Sequence, residues 1–98
     1  MRLTPDQVDA IKAAAHEAFG PSAVVRLFGS RVHDHLRGGD IDLHIEVDPT
    51  HGTDRELDVF EALLFRRIEP QRVDKVFTVR GDPLSPFEQI AYRDGIVL

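Results

Sequence analysis

The chain has 98 residues, no cysteine, and a formal charge of -5 from 17 acidic and 12 basic residues. A chain of this size makes one small domain, read here as residues 1–98, and buries roughly 60–65% of its unfolded surface. The acidic balance argues against a general nucleic-acid binder, which needs a basic face for phosphates, and the missing thiols exclude disulfides and thiolate zinc sites.

No apolar run is long enough to span a bilayer. The opening Met1-Arg2-Leu3-Thr4-Pro5-Asp6 lacks the apolar core of a signal peptide. A cytoplasmic protein is therefore expected. A nucleotide substrate stays compatible with the charge, because bound divalent cations invert the local field. A basic protein partner also suits such a surface.

Thr4-Pro5-Asp6-Gln7 predicts a helix start, with Thr4 as N-cap, Pro5 at the first helical position and Gln7 completing a capping box. Val8, Ile11, Ala14, Ala15, Ala18 and Phe19 recur at helical spacing, and Gly20-Pro21 ends the run. Ala23 to Phe28 is short, β-branched and apolar, which predicts a strand. Gly29-Ser30 follows, with Ser30 able to cap a short helix over Arg31 to Leu36, and Gly38-Gly39 reads as a turn.

Asp40 to Val47 alternates strictly: Ile41, Leu43, Ile45 and Val47 face one way, Asp40, Asp42, His44 and Glu46 the other. This predicts a strand with one buried face. Thr53-Asp54-Arg55-Glu56 is a second capping box, followed by the apolar stripe Leu57, Phe60, Leu63, Leu64 and Ile68 of a helix that stops before Pro70. Arg72 to Val79 predicts a third strand. Ser85-Pro86-Phe87-Glu88 opens a last short helix closed at Gly95, before a terminal strand at Ile96-Val97-Leu98.

This order predicts an α/β (α+β) domain: a small mixed sheet of three to four strands, with helices packed on one face. Gly29-Ser30 ends the first strand, and Asp40 and Asp42 open the second. One shared site requires these strands to be antiparallel neighbours. A right-handed crossover through the long helix sets the third strand parallel to the second. Asp74 then lies level with the aspartate pair.

Asp40 and Asp42 leave one face of their strand about 6.5–7 Å apart along the backbone. Two such carboxylates repel, and a hard divalent cation with oxygen ligands relieves them. Magnesium favours one or two carboxylates together with substrate phosphates. Asp74 supplies a third carboxylate, enough for a second ion about 3.5–4 Å from the first. Gly29 has no side chain to keep a phosphate from its backbone, Ser30 offers a hydroxyl at a helix N-terminus, and Arg31 is a candidate either for phosphate contact or for pairing with an acidic neighbour.

The segments Phe28-Gly29-Ser30-Arg31, Gly39-Asp40-Ile41-Asp42-Leu43 and Val73-Asp74 together resemble the minimal nucleotidyltransferases of the DNA polymerase beta superfamily. The closing Ile90-Ala91-Tyr92-Arg93-Asp94-Gly95-Ile96-Val97-Leu98 looks like that family's ending, and the resemblance covers nearly the whole chain. It implies the nucleotidyltransferase fold. It implies that Asp40 and Asp42 hold magnesium, that Asp74 completes the site and helps deprotonate the acceptor, and that Gly29 and Ser30 hold a triphosphate, with Arg31 beside them. The implied reaction transfers a nucleoside monophosphate, AMP from ATP, to a hydroxyl and releases pyrophosphate. Members of this size are commonly antitoxins of HEPN/MNT toxin–antitoxin pairs, so the implied partner is a HEPN-type ribonuclease toxin and the implied acceptor one of its tyrosines. After Gly-Ser-Arg, where the family often has a small residue and then Gly, this chain has Val32-His33-Asp34-His35, and its spacer to Asp40 is shorter than the common form.

Two other readings stand beside this one. The first is an antitoxin that neutralises its partner by occlusion without chemistry. The second is a transferase acting on a small molecule. His33 and His35 read as loop residues near the phosphate site rather than zinc ligands, and His44 as a solvated or packed residue of the carboxylate face in preference to a substrate contact. Arg66, Arg67 and Arg72 read as partners of the helix C-terminus in preference to contacts with a triphosphate or a protein partner. Phe60, Phe65, Phe77 and Phe87 read as core or interface.

Overall fold

The computed structural model describes residues 3–29 and 41–98. Three helices open in the same way. At α1 (Pro5–Phe19) the Gln7 amide donates to Thr4 Oγ1 (3.1 Å) and the Thr4 amide donates to Gln7 Oε1 (2.9 Å). Thr53 and Glu56 repeat this pair at α2 (Asp54–Leu64), and Ser85 and Glu88 at α3 (Pro86–Asp94). Each box satisfies amides that the first turn leaves without a helical partner.

The strands are β1 (Val24–Phe28), β2 (Ile41–Val47), β3 (Val73–Val79) and β4 (Ile96–Val97), in the sheet order β3-β2-β1-β4. β1 is antiparallel to β2 and to β4, and β2 is parallel to β3. The α/β class and the mixed sheet are those the sequence predicts.

The alternation of β2 divides the sheet by chemistry. Ile41, Leu43, Ile45 and Val47 are fully buried, as is Leu27 of β1. They form one core with Ile11, Ala15 and Phe19 of α1 and Phe60 and Leu64 of α2. The Phe19 ring centroid lies 5.6 Å from that of Phe60 and 5.2 Å from that of Phe77, the second contact edge to face. Burying each such side chain contributes about 1.5–3 kcal/mol, so this layer supplies most of the stability.

Helices on one face were expected, and α1 and α2 lie there. α3 lies across the other face: Phe87 meets Phe28 edge to face with centroids 5.6 Å apart, and the Tyr92 hydroxyl donates to Glu46 Oε1 (2.7 Å). The second helix is also shorter than predicted. It ends at Leu64, whose carbonyl accepts from the Arg67 amide (3.0 Å) and the Ile68 amide (3.1 Å) in a closing turn. The residue before a proline avoids helical backbone, so the chain unwinds ahead of Pro70. Ile68 still packs on the core, while Arg66 and Arg67 stand exposed beyond the last turn rather than within it.

The predicted short helix after Ser30 and the turn at Gly38-Gly39 lie outside the described residues. Among the described residues, no helix is long and apolar enough to cross a membrane.

Candidate active site

The topology brings three strand ends together. β1 finishes at Phe28, while β2 and β3 begin at Ile41 and Val73. Phe28 is the register partner of Asp42 across the antiparallel pair, and Asp74 is its partner across the parallel pair. Neighbouring strands are roughly 4.8 Å apart and register partners share a face. Asp42 and Asp74 therefore stand side by side on the face away from α1 and α2, and both are half-buried.

Gly29 closes β1 against Asp42. Its φ is +80°, and a Cβ built there would collide with Asp42 Oδ2 and stand 3.1 Å from Asp42 Cγ. From sequence, the missing side chain is expected to admit a phosphate. In the structure the Asp42 carboxylate occupies the place of that Cβ. Gly29→Ala is expected to cost about 1–3 kcal/mol, from left-handed backbone and the collision together. Urea unfolding checks it, and an unchanged midpoint would mean that the turn relaxes freely.

Of the predicted site residues, the structure assembles Gly29, Asp42 and Asp74. Ser30, Arg31 and Asp40 lie outside the described residues. Asp74 Oδ1 also accepts from Arg72 Nε at 3.2 Å, a contact that grouping Arg72 with the helix end did not anticipate.

Further along this face the polar groups serve the fold. His44 is fully buried. Its Nε2 lies 2.8 Å from Thr78 Oγ1, and the Thr78 hydroxyl donates in turn to Glu88 Oε2. Thr78 therefore accepts from His44, which fixes the Nε2–H tautomer. Nδ1 is left as a buried acceptor with no partner among the described residues. The Tyr92 ring packs against the imidazole, centroid to centroid 4.8 Å. His44 is thus a packed histidine, one of the readings the sequence left open.

Burial, and then the Arg26 charge, hold the His44 pKa below its ordinary 6.5, against weaker opposition from Glu46 and Glu88. The unfolded chain therefore takes up this proton first as pH falls. The contribution of this group to stability is whole above pH 6.5 and declines below it until the folded pKa is passed. Its slope is at most about 1.4 kcal/mol per pH unit. Unfolding midpoints at pH 7.5 and 5.5 check this: His44→Gln should flatten the loss, and an equal loss in both proteins would exclude His44 as its source.

Glu46 gathers three donors: Tyr92 Oη (2.7 Å), Arg26 Nη1 (3.1 Å) and Arg80 Nε (2.6 Å). The Arg26 guanidinium also lies over the Tyr92 ring, 4.3 Å from its centroid. Sequence reasoning missed this cluster. The available signal was an arginine at mid-strand in β1, opposite the carboxylate face of β2.

Asp42 and Asp74 offer hard oxygen donors, and the absent side chain of Gly29 leaves room for one of them. This donor set fits magnesium. Among the described residues, no group of three or more His, Cys, Asp or Glu side chains converges in a metal-binding arrangement, and Asp40 falls outside that set. The chain matches no protein-family model and no curated protein.

Proposed function

We propose that the chain is a cytoplasmic, magnesium-dependent nucleotidyltransferase that passes AMP from ATP to a hydroxyl of a partner protein. The observation that carries this reading is the register of Asp42 with Asp74 beside the Gly29 turn. Asp42, Asp74 and Asp40 would hold the cation, which would supply charge neutralisation of the triphosphate and orientation of its α-phosphate for in-line displacement. Asp74 takes the proton of the acceptor hydroxyl. The acceptor oxygen bonds to the α-phosphorus as the bond to the bridging oxygen of pyrophosphate breaks.

A protein acceptor suits the surroundings. Phe87, 50% exposed, leans on Phe28 beside the carboxylates, and Leu84 and Ile90 are exposed apolar residues of the same segment. Apolar surface of this kind marks contact with another protein. The resemblance in sequence supplies the partner class, a HEPN-type toxin, and a tyrosine acceptor. Incubation with labelled ATP, magnesium and that partner is expected to label the partner. No label, or label independent of Asp40 and Asp42, overturns the reading.

The same exposed residues favour a second reading, an antitoxin acting by occlusion, because they act without the carboxylates. Under it, a chain carrying Asp40→Ala and Asp42→Ala still neutralises the toxin at equal complex formation. Loss of neutralisation there assigns the effect to catalysis.

A further inference from the structure

The structure separates Arg72 from the two arginines it follows in sequence. Arg66 and Arg67 belong to the turn after α2. Arg72 is fixed immediately before β3, where its carbonyl accepts from the Ile41 amide at 3.1 Å. It therefore sits at the sheet end that carries Gly29 and Asp42. Its side chain lies along that of Asp74, with Nε 3.2 Å from Oδ1.

Both members of this pair are accessible, the Arg72 side chain 71% and the Asp74 side chain 45% exposed. An exposed ion pair is weak and readily exchanged. Before any cation binds, two carboxylates side by side need a positive neighbour, and Arg72 supplies one to Asp74. A divalent cation competes for the same oxygens. A guanidinium displaced from them stays at the same sheet end, held there by the backbone bond to Ile41, and its planar fork matches phosphate in geometry and charge.

We propose that Arg72 exchanges partners during substrate binding: it holds Asp74 while the site lacks a cation, and it grips the phosphates of the incoming nucleotide once a cation takes Asp74. This rests on the nucleotidyltransferase reading and deepens it, assigning triphosphate recognition to a residue outside the Gly-Ser turn. Arg72 is thus a phosphate-binding residue and a competitor of the metal.

The two roles predict opposite shifts in one variant. In the full chain, Arg72→Met is expected to bind Mn²⁺ alone about two- to fivefold more tightly, because the competing charge is gone. It is expected to bind a non-hydrolysable ATP analogue with magnesium at least about fivefold more weakly, because a charge-assisted contact is lost. Arg72→Lys keeps the charge without the fork and should fall between. Mn²⁺ affinity is read by electron paramagnetic resonance and analogue affinity by calorimetry, with circular dichroism to confirm folding. A role confined to structure moves both affinities in one direction or neither, and any pattern other than opposite shifts overturns the exchange. If Mn²⁺ fails to bind the parent, or binds equally after Asp42→Asn with Asp74→Asn, the metal-site reading falls and the exchange falls with it. If Mn²⁺ binding needs those carboxylates but ignores Arg72→Met, the exchange alone falls.

Discussion

Replacing Asp42 and Asp74 together by asparagine is expected to leave the chain folded and to abolish its response to magnesium. The two carboxylates are register partners on adjacent strands, and like charges placed so oppose folding. Asparagine keeps their shape and removes both the repulsion and the exposed Arg72–Asp74 ion pair, small effects of opposite sign, so the variant should melt close to the parent without metal. Magnesium changes the comparison. A ligand that binds only the folded state stabilises it by RT ln(1 + [L]/Kd), about 1.4 kcal/mol at ten times Kd. For a domain of this size that raises the melting temperature of the parent by roughly 6–11 °C. The variant should show no rise, and transfer to the acceptor should fall more than about a hundredfold, since loss of a group that merely supports a metal ligand already costs 10–100-fold. Differential scanning fluorimetry with and without magnesium reads the first effect and label transfer the second. Equal magnesium shifts in parent and variant would remove these side chains from any metal site.

How far the sequence reached is clear from particular residues. Thr4 with Gln7 and Thr53 with Glu56 are local signals, satisfied within one turn, and the helices begin where those signals place them. The alternation of β2 assigns its two faces without knowledge of any other strand, and the buried row Ile41, Leu43, Ile45 and Val47 follows from it. The levelling of Asp74 with Asp42 needed one rule beyond local pattern, that a crossover through a helix sets its two strands parallel, and the register agrees. What stayed hidden depends on side chains distant in sequence. No periodicity says that α3 crosses the polar face, that Thr78 and Glu88 fix the tautomer of His44, or that Gly29 yields its space to Asp42. The early end of α2 was hidden for a different reason: Ile68 keeps its place on the core through a turn, so the apolar spacing outruns the helix.

The polar face also holds the cluster with the largest expected effect on stability. Glu46→Ala is expected to destabilise the chain by about 2–3 kcal/mol. Removing one member of a fully buried ion pair costs about 3–5 kcal/mol, and the Glu46 side chain is 16% exposed, which moderates the penalty. The loss falls on three partners far apart in sequence, Arg26 of β1, Tyr92 of α3, and Arg80 just after β3. The network thus ties α3 to the sheet, and the same helix carries Phe87 against Phe28 beside Asp42. Acid should reproduce the effect. Burial pushes the Glu46 pKa up, but hydrogen bonds from Tyr92, Arg80 and Arg26 together outweigh it and leave the pKa below its ordinary 4.5. The stability from this group is therefore whole above pH 4.5 and lost as pH falls through the folded pKa. Glu46→Gln keeps the shape without the charge, so its deficit against the parent should be full at pH 7 and should shrink in that acid window. Urea midpoints across pH 7 to 3 measure the difference. A deficit that stays constant with pH would mean that the carboxylate charge has no part in holding α3, and that Tyr92 and Ala91 hold it by packing alone.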